Sequence, residues 1–65
     1  MKFKYGDKIV IHEGNKLHNF KGNYSNVYDV VYCYEDTTHG VEFVEFYDGG
    51  TKYAYPSRAF DLVEE

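Results

Sequence analysis

Tryptophan and glutamine are absent from this 65-residue chain, and cysteine, proline and arginine occur once each, as Cys33, Pro56 and Arg58. Each scarcity excludes something. A single cysteine cannot close an intrachain disulfide, so the fold must hold without a sulfur staple, and a reducing, cytoplasmic setting is the natural expectation. Only Ser25 and Ser57 could serve as serine nucleophiles, and neither sits in an elbow motif, so no catalytic residue is assigned and an enzyme is not expected. The opening Met-Lys-Phe-Lys-Tyr-Gly-Asp lacks the apolar run of a signal peptide, and no segment approaches the length that crosses a bilayer, so neither export nor a membrane partner is expected. Heptads, internal repeats and low-complexity tracts are missing as well.

What the chain does have is rings and carboxylates. Residues 1–65 make one domain, and a chain of this size buries only roughly 60% of the surface its unfolded form exposes. Ordering it costs about 1.5 kcal/mol per residue, so the eight Tyr and five Phe must supply most of the large buried area in place of a leucine core. Charge is polarised. Residues 1–21 carry five lysines against Asp7 and Glu13, whereas residues 22–65 carry nine carboxylates against Lys52 and Arg58, for a net charge of −4. A net acidic chain is a poor non-specific ligand for phosphate. The abundance of Lys, Asn, Tyr, Phe and Ile, which have A/T-rich codons, suggests a bacterial or phage source.

Read in order, Lys8-Ile9-Val10-Ile11-His12 is a β-branched run entered through the turn pair Gly6-Asp7, which predicts a first strand with Ile9 and Ile11 on one face. Residues 13–25 are rich in Gly, Asn and Ser and predict a long loop held by Leu17 and Phe20. Asn26 to Glu35 is the longest run of β-formers. Alternation places Val27, Asp29, Val31, Cys33 and Glu35 on one face and Tyr28, Val30, Tyr32 and Tyr34 on the other, so neither is plainly polar. Two readings follow: a core side backed by wall tyrosines on a long curved strand that serves two sheets, or an exposed tyrosine stripe. After the polar turn Glu35 to Gly40, Val41 to Tyr47 returns as a strand in which Phe46 falls out of phase with Val41 and Phe43, and a β-bulge at Val44-Glu45 would restore the phase. Asp48-Gly49-Gly50 predicts a hairpin turn, Thr51 to Tyr55 a strand, and Pro56 its end. Ser57-Arg58-Ala59-Phe60 has the length of one helical turn, and Leu62-Val63 closes the chain.

The Tyr5-Gly-Asp-Lys-Ile-Val-Ile start, the Gly40-Val-Glu-Phe to Phe46-Tyr-Asp-Gly-Gly hairpin and the Tyr55-Pro-Ser-Arg-Ala-Phe-Asp-Leu-Val-Glu ending together resemble the SH3-like small barrels, which include bacterial and phage modules and KOW-type domains. The resemblance spans residues 5–65. It implies an all-β, five-stranded antiparallel barrel with one short 3-10 turn before the last strand. The chain departs from the KOW type at residues 13–26, where a longer Asn-rich loop replaces a tight turn, and it lacks the paired Trp and the acidic loop of eukaryotic proline-peptide binders. A superfold of this kind hosts many functions.

His12, His18, His39 and Cys33 match no closed four-ligand spacing, so no metal or other cofactor is expected. An inert, buried Cys33 and solvated histidines are the reading instead. The carboxylates Glu35, Asp36, Glu42, Glu45, Asp48, Asp61, Glu64 and Glu65 either keep the domain soluble or form an acidic face for a basic partner. Tyrosine offers rigid contact area with a polar tip, and carboxylates steer a basic surface. On that ground the expected function is a non-enzymatic protein-binding module, in its narrower form a phage- or mobile-element-encoded factor that engages a host protein. Its expected contact residues are Tyr28, Tyr32, Tyr34, Glu35, Asp36, Glu42 and Asp48. One rival is a nucleic-acid-binding small barrel that uses Lys2, Lys4, Lys8, Lys16 and Lys21 with Phe20 and Tyr24. Another is a self-associating structural subunit that pairs through Asn26–Glu35.

Overall fold

A computed structural model describes residues 2–64. Glu65, counted above among the acidic residues, lies outside the described residues. The chain forms two three-stranded antiparallel sheets. In the first, β1 (Lys8–Ile11) lies between β2 (Tyr28–Asp29) and β6 (Phe60–Leu62), and in the second, β4 (Val41–Asp48) lies between β3 (Tyr32–Asp36) and β5 (Thr51–Pro56). A single 3-10 turn, Ser57–Ala59, joins β5 to β6. Among the described residues no helix is long and apolar enough to cross a membrane.

β1 forms where expected, with Ile9 and Ile11 buried and paired to Tyr28 and Phe60 respectively across the two neighbouring strands,. The hairpin between β4 and β5 turns on Gly49 and Gly50, with φ of 60° and 83°, and Asp48 pairs directly with Thr51. Two successive left-handed residues match the right-handed twist of the strands they join, which is why a Gly-Gly pair suits this position. At the other hairpin the Asp36 carboxylate accepts the Thr38 N–H at 3.1 Å and holds the turn.

The expected five-stranded barrel is corrected in two respects. Among the described residues there are six strands, and no ladder of hydrogen bonds joins the two sheets into a closed barrel. The sixth strand arises because the run Asn26–Glu35 is not continuous. Val30 exchanges hydrogen bonds with the segment leading into β1 (Val30 N to Asp7 O, 2.8 Å; Gly6 N to Val30 O, 2.9 Å), whereas the next residue, Val31, donates to Glu45 O in β4 at 2.9 Å. The backbone changes sheets between these two residues, and its inward face changes with it. Tyr28 and Val30 point into the core, but Tyr32 is 57% exposed.

The bulge expected at Val44-Glu45 is also corrected. Pairing runs one to one from Tyr32↔Glu45 to Asp36↔Val41 on one side of β4 and from Phe43↔Pro56 to Asp48↔Thr51 on the other, leaving no extra residue. The inward set is Glu42, Val44, Phe46 and Asp48. Phe46 is therefore in phase, and Phe43 faces outward.

The core combines aromatic rings with β-branched side chains: Phe3, Tyr28, Phe46 and Phe60 are buried with Ile9, Ile11, Val30 and Val44. Phe46 and Phe60 are fully buried with ring centroids 5.5 Å apart, each contributing about 1.5–3 kcal/mol relative to exposure. The long loop is pinned as its composition predicted. Leu17 is buried, and the Phe20 ring makes edge contacts with Tyr24, Tyr28, Phe46, Tyr53 and Tyr55 at centroid distances of 5.0–6.1 Å. Two polar ties support it: Tyr24 Oη accepts the Leu17 N–H at 2.9 Å, and Tyr55 Oη donates to His18 O at 2.7 Å.

Candidate functional site

Because directly paired residues share a face of a sheet, the register defines what the second sheet shows on its outward side. Tyr34, Phe43 and Pro56 form one row, and Tyr32, Glu45 and Ala54 the next. Tyr32 and Tyr34, two apart on β3, stack at 5.9 Å with an interplanar angle of 29°, and Tyr34 stacks on Phe43 at 5.4 Å and 20°. The three rings make one continuous strip. Tyr32 is its open end, while Tyr34, Phe43, Val41 and Pro56 are half-buried. Asp36 and Glu45 carry the negative charge of this face, and Lys52 Nζ lies 3.6 Å from Glu45.

The residues expected to form the contact surface are divided by the structure. Tyr32, Tyr34 and Asp36 lie on the outward face. Tyr28 does not: it is 6% exposed, its ring lies 4.6 Å from that of Phe46, and burial pushes its phenol above the usual range. Asp48 faces inward and accepts a hydrogen bond from Tyr28. Glu42 belongs to the inward set, where both its carboxylate oxygens accept the Lys2 N–H at 2.9 and 3.0 Å, and Glu35 pairs opposite it. Phe43, Val41, Glu45 and Pro56 were missed. The signal for them was the alternation Val41-Phe43-Glu45-Tyr47, which the expected bulge at Val44-Glu45 would have interrupted.

Cys33 faces inward and is half-buried, not fully buried as expected. Burial, reinforced by the Glu42 and Asp7 carboxylates, pushes its thiol above the usual range, which keeps it protonated and weakly nucleophilic. His12 and His39 are exposed, as expected, and each pairs with a carboxylate: His12 Nδ1 is 2.6 Å from Asp61 and His39 Nδ1 is 2.8 Å from Asp36. Among the described residues no group of three or more His, Cys, Asp or Glu side chains could hold a metal ion.

Two lysines of the N-terminal third, and Phe20 with them, are engaged within the fold. Lys8 pairs with Asp29 at 2.7 Å, Lys2 Nζ donates to Phe60 O at 3.2 Å, and Phe20 is occupied on its edges by other rings. Comparison with protein-family models, curated proteins and solved structures finds no match.

Proposed function

We propose that this chain is a non-enzymatic protein-binding module of SH3-like architecture, and that it binds a basic partner protein through the outward face of β3, β4 and β5. The observation that carries this reading is the Tyr32–Tyr34–Phe43 strip, three rings held in register by the ladder with one end open to solvent. Rings fixed by strands lose little entropy on binding, and aromatic residues are the ones whose truncation most often costs about 2 kcal/mol or more at an interface. Asp36 and Glu45 flank the strip, and the chain beyond residue 21 is strongly acidic, so the complementary surface is basic. The SH3-like architecture is supported by the order of the strands and by the chain passing from one sheet to the other at Val30-Val31 and again at the 3-10 turn.

Affinity capture from a bacterial lysate tests the reading when run in parallel with Tyr32→Ala, the double variant Tyr32→Ala/Tyr34→Ala, and Tyr5→Ala, a control at a residue 79% exposed and outside this sheet. A partner retained by the wild type and by Tyr5→Ala, released at high salt and lost from the double variant, is the expected result. Equal recovery from all four proteins sinks it.

A further inference from the structure

On the loop side of the 3-10 turn lies an open groove of about 340 Å³, lined by Asn15, Lys16, Leu17, His18, Tyr55, Pro56, Arg58 and Ala59. Its floor is Leu17, Tyr55, Pro56 and Ala59. Its charged side chains are uniform in sign: Lys16 and Arg58 line it, beside Asn15 and His18, and no carboxylate does. In a chain of net charge −4 that concentration is unexpected. Outside the groove Lys8 pairs with Asp29, Lys52 with Glu45, His12 with Asp61 and His39 with Asp36, while Lys2 donates to the Phe60 carbonyl. Among the described residues Lys16, His18 and Arg58 have no such partner. The walls are held in place: Tyr55 Oη donates to His18 O at 2.7 Å, and Asn15 Nδ2 donates to Ala59 O at 3.4 Å, so the loop and the turn are tied together on either side of the groove.

The groove does not end there. A second depression of about 200 Å³ shares Pro56 and Arg58 with the first and adds Gly40, Val41, Glu42 and Ser57. Taken as one trough, two adjoining depressions that meet at Pro56 and Arg58, of which only the first is free of carboxylates, suit an extended chain better than a compact small molecule.

We infer that this trough binds an extended acidic peptide segment of a partner protein, with a carboxylate side chain seated between Arg58 and Lys16 and a neighbouring apolar side chain resting on Leu17, Tyr55 and Pro56. Arg58 supplies the planar fork that matches a carboxylate, and Lys16 adds charge without fixing geometry. Peptide affinity then depends on Arg58 most and falls with salt. The inference rests on different charged groups from the aromatic face: none of the three basic residues belongs to it, although Pro56 and Val41 border both surfaces.

The test is a titration of the ¹⁵N-labelled protein with a blocked hexapeptide of alternating Glu and Leu, followed by amide chemical shifts. Saturable shifts at Lys16, His18, Arg58 and Ala59 are expected, weakened roughly tenfold or more by Arg58→Ala and by replacing the peptide's Glu with Gln. Arg58 is exposed, so the variant keeps its fold, which its amide spectrum reports directly. Tyr32→Ala should leave the titration unchanged. The inference is overturned if the peptide gives no saturable shifts, if Arg58→Ala binds it equally well, or if inorganic phosphate alone saturates the same amides at the same concentration.

Discussion

The Tyr28 phenol, in the first sheet, donates a hydrogen bond to the Asp48 carboxylate, in the second, at 3.1 Å. The same oxygen lies 3.1 Å from Asn23 O and accepts the Asn23 N–H at 3.3 Å, so one buried side chain ties both sheets and the long loop. Tyr28→Phe keeps the ring and removes the tie. It leaves the Asn23 groups and Asp48 without their partner, and is expected to cost about 1–3 kcal/mol in urea unfolding. A loss below a few tenths of a kcal/mol would show that the phenol carries no load.

Alkaline pH should act on the same residue. Burial raises the phenols of Tyr28 and Tyr55 and the thiol of Cys33. In each case the native state holds the proton more tightly than the unfolded chain. The stability they contribute is therefore complete below the unfolded values, about 8.5 for the thiol and 10 for the phenols, and is lost as pH rises through the higher folded values. Unfolding free energy measured from neutral pH to about pH 11 should decline over the upper part of that range. The decline should be shallower in Tyr28→Phe. A parallel decline in both proteins would remove Tyr28 from this account.

Gly22 has no positive φ to explain it, but it has no room either. A methyl group there would overlap the Asp48 carboxylate and come within 2.5 Å of the Phe20 ring. Gly22→Ala must push aside the residue that binds Tyr28 and the ring that anchors the loop, and overpacking of this kind costs about 1–3 kcal/mol. Thermal unfolding should show a lowered midpoint. An unchanged or raised midpoint would mean that the loop has slack.

Phe60 is fully buried and pairs with Ile11 in the ladder between β6 and β1. Phe60→Ala should cost about 3–5 kcal/mol, against a total stability of only about 3–10 kcal/mol for a domain this small. Deleting residues 60–65 removes β6 altogether and should leave a chain without a cooperative transition by circular dichroism. Cooperative melting of that truncated form near the full-length midpoint would contradict the role assigned to β6.

Glu35 and Glu42 stand directly opposite each other in the β3–β4 ladder. Like charges so placed repel, and Glu42 is held by the Lys2 N–H besides. Glu35→Lys exchanges repulsion for attraction and should raise stability by about 0.2–1 kcal/mol at low salt, with the gain fading at high salt. A destabilised variant at low salt would argue that Glu35 has a partner of its own.

Much of this fold is written locally. The β-branched run at Ile9 and Ile11, the Gly49-Gly50 turn, the 3-10 turn after Pro56 and the pinning of the loop by Leu17 and Phe20 all follow from what neighbouring residues permit the backbone to do. The outward strip was half legible: Tyr32 and Tyr34 stood out, but Phe43 was grouped with Phe46 through a bulge that the strand does not contain. From the sequence, Phe43 and Phe46 are equally good candidates for burial, and no property of the strand alone chooses between them.

The choice is made by partners distant in the chain. Val44 and Phe46 face inward because Cys33, Tyr53 and Tyr55 meet them across the ladders, and that register sends Phe43 out to Tyr34. Likewise the tyrosines of Asn26–Glu35 divide between core and surface because Val30 bonds toward Asp7 and Val31 toward Glu45. Composition and turn chemistry, which act within a few residues, determined that the chain is β, with aromatic rings in its core, and punctuated where it is. Which rings are hidden and which are exposed was decided by the hydrogen bonds between strands, whose energies depend on pairing across the whole chain.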